Sequence, residues 1–95
     1  MLSGQLMSAI PDTMIVYPNP AVDMAYVSFK SPKSAKYTIE IKDITGRMVL
    51  SQTLTSNPGL NRAGFDVHLL PKGMYMVTIY NDIKGKIRTM KLVKG

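Results

Sequence analysis

His68 is the only histidine of the chain, and Asp66 stands two positions before it. Residues two apart in a strand share a face, so imidazole and carboxylate can meet. Such a couple is part of a hydrolytic triad, which also needs a hydroxyl or thiol nucleophile held by a strained turn. The chain has no Gly-x-Ser-x-Gly run and no cysteine. Both residues fall on the outward parity of their strand, so the expectation is a surface His–Asp pair. A metal site needs three or four converging ligands. One His, one Glu and five scattered Asp supply no obvious set. Asp43 and Asp82 sit in turn contexts, where Asp is favoured for its local hydrogen bonds. No Gly-rich phosphate loop is present. The expectation is a protein that is not an enzyme and holds no metal or cofactor.

Attention therefore passes to the elements. Ninety-five residues suit one domain. The absence of cysteine excludes a disulfide framework and Cys-based zinc, and leaves the redox compartment open. No apolar run approaches the roughly 20 residues of a spanning helix, so no stable membrane insertion is expected. Met1 to Ala9 lacks a basic region and is not read as a signal peptide. Residues 1–13 read as a flexible leader, and residues 14–95 as the folded domain. The net charge is +6, with Lys84, Lys86, Arg88, Lys91 and Lys94 crowding the end of the chain. Lysines on an edge strand oppose aggregation. Nucleic-acid binding would need stacking aromatics beside the basic patch, and none are evident.

From Met14 onward short alternating runs are separated by turns. Met14 to Tyr17 is stopped by Pro18 and Pro20, which suit the exit of an edge strand. Val22 to Phe29 is apolar on both parities, which fits a bulge or a strand covered on both faces. Ser31 to Ser34 is a turn. Tyr37, Ile39 and Ile41 alternate with polar residues. Asp43 to Gly46 fits a type I turn closing a hairpin with Arg47 to Leu54. The inward parity of that return strand is open between Val49 and Leu50. Asn57 to Asn61 reads as a loop. Phe65, Val67 and Leu69 form the next inward face, then Tyr75, Val77 and Ile79. Asn81 to Gly85 is the last hairpin loop, and Lys86 to Val93 the last strand. About seven strands with turns every 8–12 residues predict an all-β fold, an immunoglobulin-like antiparallel β-sandwich.

Tyr75 follows a turn glycine at the start of the sixth strand. It reads either as a corner tyrosine bonded to backbone upstream or as a plain core tyrosine. Met74 and Met76 share an outward face with Met48 nearby. Exposed together, they would form an apolar patch of the kind that marks an interaction site. The tyrosines fall mostly on inward or ambiguous parities, with Tyr80 expected near solvent.

Two punctuation marks stand out: Tyr17-Pro18-Asn19-Pro20 and Leu70-Pro71-Lys72-Gly73-Met74-Tyr75. Between them lie Tyr37 to Asp43, Gly46-Arg47-Met48-Val49, Gly59-Leu60-Asn61 and Phe65-Asp66-Val67. The chain closes on Lys91-Leu92-Val93-Lys94, with Gly95 beyond the usual closing lysine. In this order, from Ile15 to Lys94, the set resembles the C-terminal sorting domains of the type IX (Por) secretion system of Bacteroidetes. The resemblance implies a domain at the end of a larger exported cargo protein. Such proteins reach the periplasm by a separate N-terminal signal and are then carried through the outer membrane to the cell surface or beyond. Its implied partners are the translocon and a surface sortase, which in many members removes the domain. The leader would then contain or adjoin the cleavage region. The resemblance directs recognition to Pro71, Lys72, Gly73 and Tyr75 and to Lys91, Leu92, Val93 and Lys94. Tyr17, Pro18, Asn19, Pro20, Gly46, Gly73 and Tyr75 would be structural motif residues. A fold-building role is the alternative for every Gly, Pro and Tyr among these. The alternative functions are an adhesion or carbohydrate-binding module, or a structural spacer beside an enzyme domain. An exposed edge strand also leaves room for edge-to-edge dimers.

Overall fold

The structure, a computed structural model, describes residues 14–95. The leader expected over residues 1–13 lies outside the described residues. Seven strands follow in order: β1 (Met14–Tyr17), β2 (Met24–Ser31), β3 (Lys36–Asp43), β4 (Met48–Thr55), β5 (Gly59–Asp66), β6 (Gly73–Asn81) and β7 (Gly85–Lys94). They form two antiparallel sheets, β1-β2-β5 and β4-β3-β6-β7. The inner faces interleave as a β-sandwich.

The core follows the alternation. Ile39 and Ile41 on β3 lie beside Ile79 and Val77 on β6, with Tyr37 and Tyr75 on the same inner face, and all are buried. Ala25, Val27 and Phe29 on β2 and Ala63 and Phe65 on β5 supply the opposite layer. Phe29 meets Tyr37 edge to face across the sandwich, with centroids 4.9 Å apart. Burying one large apolar side chain here stabilises the fold by about 1.5–3 kcal/mol.

Two register shifts decide parities that periodicity leaves open. Between Ile41 and Lys42 the partners on β4 jump from Leu50 to Met48. Val49 is the extra residue, so Val49 and Leu50 both pack against the core. A second shift between Ile79 and Tyr80 leaves Ile87 as the extra residue of β7, turned toward the core.

One open alternative is decided and two expectations need correcting. The pairings of β2 run without a register shift, so its two-faced apolar pattern is no bulge. Its inner face is core, while its outer face carries Tyr26 beside Tyr17, and Val22 lies exposed before the strand begins. Gly59 to Asn61 belong to β5 rather than to a loop, paired with Ser31 to Phe29. The Asn61 side chain accepts from Asn57 N–H and donates to the carbonyls of Asn57 and Gly59, closing the turn before it. Leu69 is no core residue: it is 84% exposed. The strand stops at Asp66, Val67 N–H bonds to Asp23 O, and Leu70 N–H bonds to Val67 O. That turn swings Leu69 outward.

The opposite pole holds a small polar centre. Ser31 Oγ lies 2.9 Å from Tyr37 Oη, and Ser56 Oγ–H donates to Ser31 Oγ at 3.0 Å. No buried side-chain polar atom among the described residues lacks a partner, as a well-packed interior requires.

Candidate recognition surface

Both conspicuous motifs and the end of β7 converge at one pole. The residues after β1 cross to the free edge of β7. Asn19 Nδ2–H donates to Lys91 O at 3.2 Å, and Asn19 Oδ1 accepts from Val93 N–H at 2.8 Å. The side-chain amide thus offers one donor and one acceptor to the edge, as a residue of a neighbouring strand would. Ala21 N–H then bonds to Val93 O, and Gly95 N–H to Ala21 O, each at 2.8 Å. Ala21 and Lys94 form a parallel bridge. The Tyr17–Pro18 and Asn19–Pro20 peptide bonds are cis.

The turn into β6 is tied to the same place. Tyr75 Oη–H donates to Pro71 O at 2.6 Å, which makes it a corner tyrosine. Lys94 Nζ donates to Leu70 O at 3.2 Å. Gly73 pairs with Lys94 and adopts φ +149°, and Gly46 adopts φ +89° in the opposing hairpin. Both angles favour glycine over residues with a Cβ.

Asp43, at the end of β3, anchors that hairpin. Its carboxylate accepts from Thr45 Oγ1–H at 2.6 Å and from the N–H groups of Thr45 and Arg47. The Thr45 hydroxyl first, and after it the backbone amides of Arg47 and Thr45 and the Arg47 charge, hold its pKa below the ordinary carboxylate value against the burial that raises it. Arg47 Nε stands 3.2 Å from Asp43 Oδ2. Between this hairpin and the Leu70–Tyr75 turn runs a groove of about 280 Å³, walled by Ile44, Val49, Pro71, Lys72 and Met74.

The residues expected to carry recognition divide by parity. Leu92 is fully buried in the core, and Lys94 is buried with its ammonium on Leu70 O. Lys91 and Val93 face outward, and Pro71, Lys72 and Gly73 are exposed. Tyr75 points inward and shows only its hydroxyl end to the turn.

His68 Nδ1 lies 2.6 Å from Asp66 Oδ1, and both side chains are more than half exposed. The His68 contacts hold the Asp66 carboxyl below its usual value. Among the described residues no hydroxyl is bonded to the ring. Among the described residues no cluster of three His, Asp or Glu could hold a metal. A further cluster escaped sequence reasoning: Tyr17 and Tyr26 pack at 5.7 Å on the outer face of β1 and β2, with the Arg62 guanidinium 4.8 Å over the Tyr26 ring. The Ser28 hydroxyl, and after it Arg62, lower the Tyr17 phenol's pKa against the burial that raises it. Arg62 had no signal of its own; only the β2–β5 register brings it there.

The profile of the secretion-system C-terminal sorting domain matches residues 15–94. The chain belongs to this family. A sorting domain of this kind is the C-terminal signal handled by type IX secretion, and implies export across the outer membrane to the cell surface or extracellular space. It is not an enzyme family. No curated protein matches the chain. One solved structure that it is similar to is a Bifidobacterium adolescentis GH3 beta-glucosidase, with 13% identity and a TM-score of 0.46. The alignment covers 90% of this chain and 17% of that chain.

Proposed function

We propose that residues 14–95 act as the export address of a larger cargo protein. The address is read as a folded sandwich by the type IX translocon after periplasmic transit, and a surface sortase then severs it within or beside residues 1–13. The observation that carries this reading is the family match across residues 15–94. The convergence of the Asn19 segment, the Leu70–Tyr75 turn and β7 on one pole supports it: a single partner meets all three motifs at once. Pro71, Lys72, Lys91 and Val93 form the contact surface, while Gly73, Tyr75, Leu92 and Lys94 hold its shape.

A sugar-binding module fits less well. Sugars stack on open aromatic faces, whereas the Tyr17 and Tyr26 rings pack on each other and the Arg62 guanidinium covers the Tyr26 ring.

The test is transplantation. Residues 1–95 are fused behind a periplasmic reporter in a type IX-competent host. Appearance of the reporter at the cell surface or in the medium is expected, and a reporter retained in the periplasm refutes the reading.

A further inference from the structure

Strand register places a row of side chains across all four strands of the larger sheet, on its outer face. Lys42 lies opposite Met48 on β4 and Met76 on β6, and Met76 lies opposite Lys91 on β7. In the next row Met74 pairs with Val93. Directly opposed residues share a face with Cβ atoms about 5 Å apart, so these side chains form one continuous patch. Met48 is 53% exposed, Met74 45% and Val93 37%. Farther along this face come Thr38 bonded to Thr53, Thr78 bonded to Thr89, and at the far end the half-buried Tyr80 opposite Thr38 and Lys86. The methionines of this face are therefore confined to the pole where the groove and the Leu70–Tyr75 turn lie.

We propose that this methionine row is a docking face for a protein partner whose apolar side chains sit within a ring of carboxylates. The proposal rests on the sorting reading above and extends its contact surface from the Pro71–Lys72 turn and Lys91 and Val93 to the methionines beside them. Charge argues for an acidic partner. Lys91 stands among the methionines and Lys72 lines the adjoining groove, and neither has an acidic partner among the described residues, whereas Lys42 and Arg47 are paired with Glu40 and Asp43. The acids at this pole are committed internally: Glu40 stands 3.6 Å from Lys42, and Asp43 is held by Thr45 and Arg47. Side-chain chemistry argues for a protein. Methionine is flexible and polarizable and adapts to a contoured partner. A membrane-seeking surface would instead present Trp or Tyr at its rim, and no aromatic ring lines this row. The groove beside Met74 is concave and of a size to take a partner side chain.

The test uses the full chain fused to the exported reporter, with two double variants: Met48→Gln with Met74→Gln, and Lys72→Glu with Lys91→Glu. Leu60→Gln, on the outer face of the other sheet, is the control. Thermal unfolding of each chain verifies folding. Folded double variants should lose export by about tenfold, the scale of one lost hot-spot contact, while the control exports normally. A benzoylphenylalanine photo-crosslinker at Met74 should give one defined protein adduct in secreting cells, and at Leu60 none. Normal export of folded double variants, or no adduct at Met74, overturns the docking face while the sorting reading stands. Failure of the unsubstituted fusion to export overturns the sorting reading itself, and the docking face with it. Binding to phosphatidylglycerol-containing vesicles that the double variants lose would make the occupant a lipid surface, which also overturns the proposal.

Discussion

Asn19 Oδ1 accepts a hydrogen bond from Val93 N–H across 74 positions of sequence, at 2.8 Å. With the bond from Asn19 Nδ2–H to Lys91 O, it joins the opening motif to the closing strand. Asn19→Ala removes both bonds and leaves two edge groups to water. The expected loss is about 1–2 kcal/mol, or roughly 4–8 °C in unfolding midpoint for each kcal/mol in a domain of this size. Thermal unfolding measures it. Faster amide exchange at Val93, with Val77 unchanged, would locate the loss at the edge.

Tyr75→Phe keeps the buried ring and deletes the hydroxyl bonded to Pro71 O. The expected cost is about 1 kcal/mol. Tyr75→Ala also empties the core and should cost about 3–5 kcal/mol. Denaturant unfolding of both variants checks the ratio; equal losses would mean that the hydroxyl alone matters.

Ile39 is fully buried at the centre of the four-stranded sheet. Ile39→Ala should cost about 2–5 kcal/mol. Leu69→Ala should leave stability within about 0.5 kcal/mol of the parent, because Leu69 stands in solvent. Chemical denaturation of this pair tests the strand boundary at Asp66 directly.

Asp43 and Asp66 both have pKa values lowered from the ordinary 3.8. A carboxylate with a depressed folded pKa contributes its stabilisation above the unfolded value and loses it as pH falls through the folded value. Stability should therefore be level above about pH 5 and decline as pH falls below 4. In Asp43→Asn that decline should be shallower, because one of the two linked protonations is gone. Unfolding midpoints measured from pH 2 to pH 6 decide it; parallel curves would remove Asp43 from the account.

Much of this architecture is written in local pattern. The alternation of Tyr37, Ile39 and Ile41 against Thr38, Glu40 and Lys42 marks a half-buried strand, and Asp43 with Gly46 marks its turn. What eludes period-two reading is whatever changes the period. Val49 and Leu50 both reach the core because a bulge inserts one residue. Asn61 reads as loop from its type, although its side chain closes the preceding turn from within a strand. Leu69 continues an inward parity that has already ended at Asp66. The candidate surface was legible as motifs and illegible as a place. Nothing in the spacing of Asn19, Leu70 and Lys94 says that they meet, because only the order of the strands brings them together. Nor does composition tell that Leu92 and Lys94 turn inward while Lys91 and Val93 turn out.

The two prolines flanking Asn19 have a consequence for crowded copies of this domain. The segment laid along β7 has no amide hydrogen at positions 18 and 20, so it satisfies the strand beneath it and offers little to a strand above. Lateral sheet growth from that end of the molecule stops with a single intramolecular layer. Concentrated copies of the domain would then stay dispersed there, where an unprotected β7 terminus would be open to pairing with another strand.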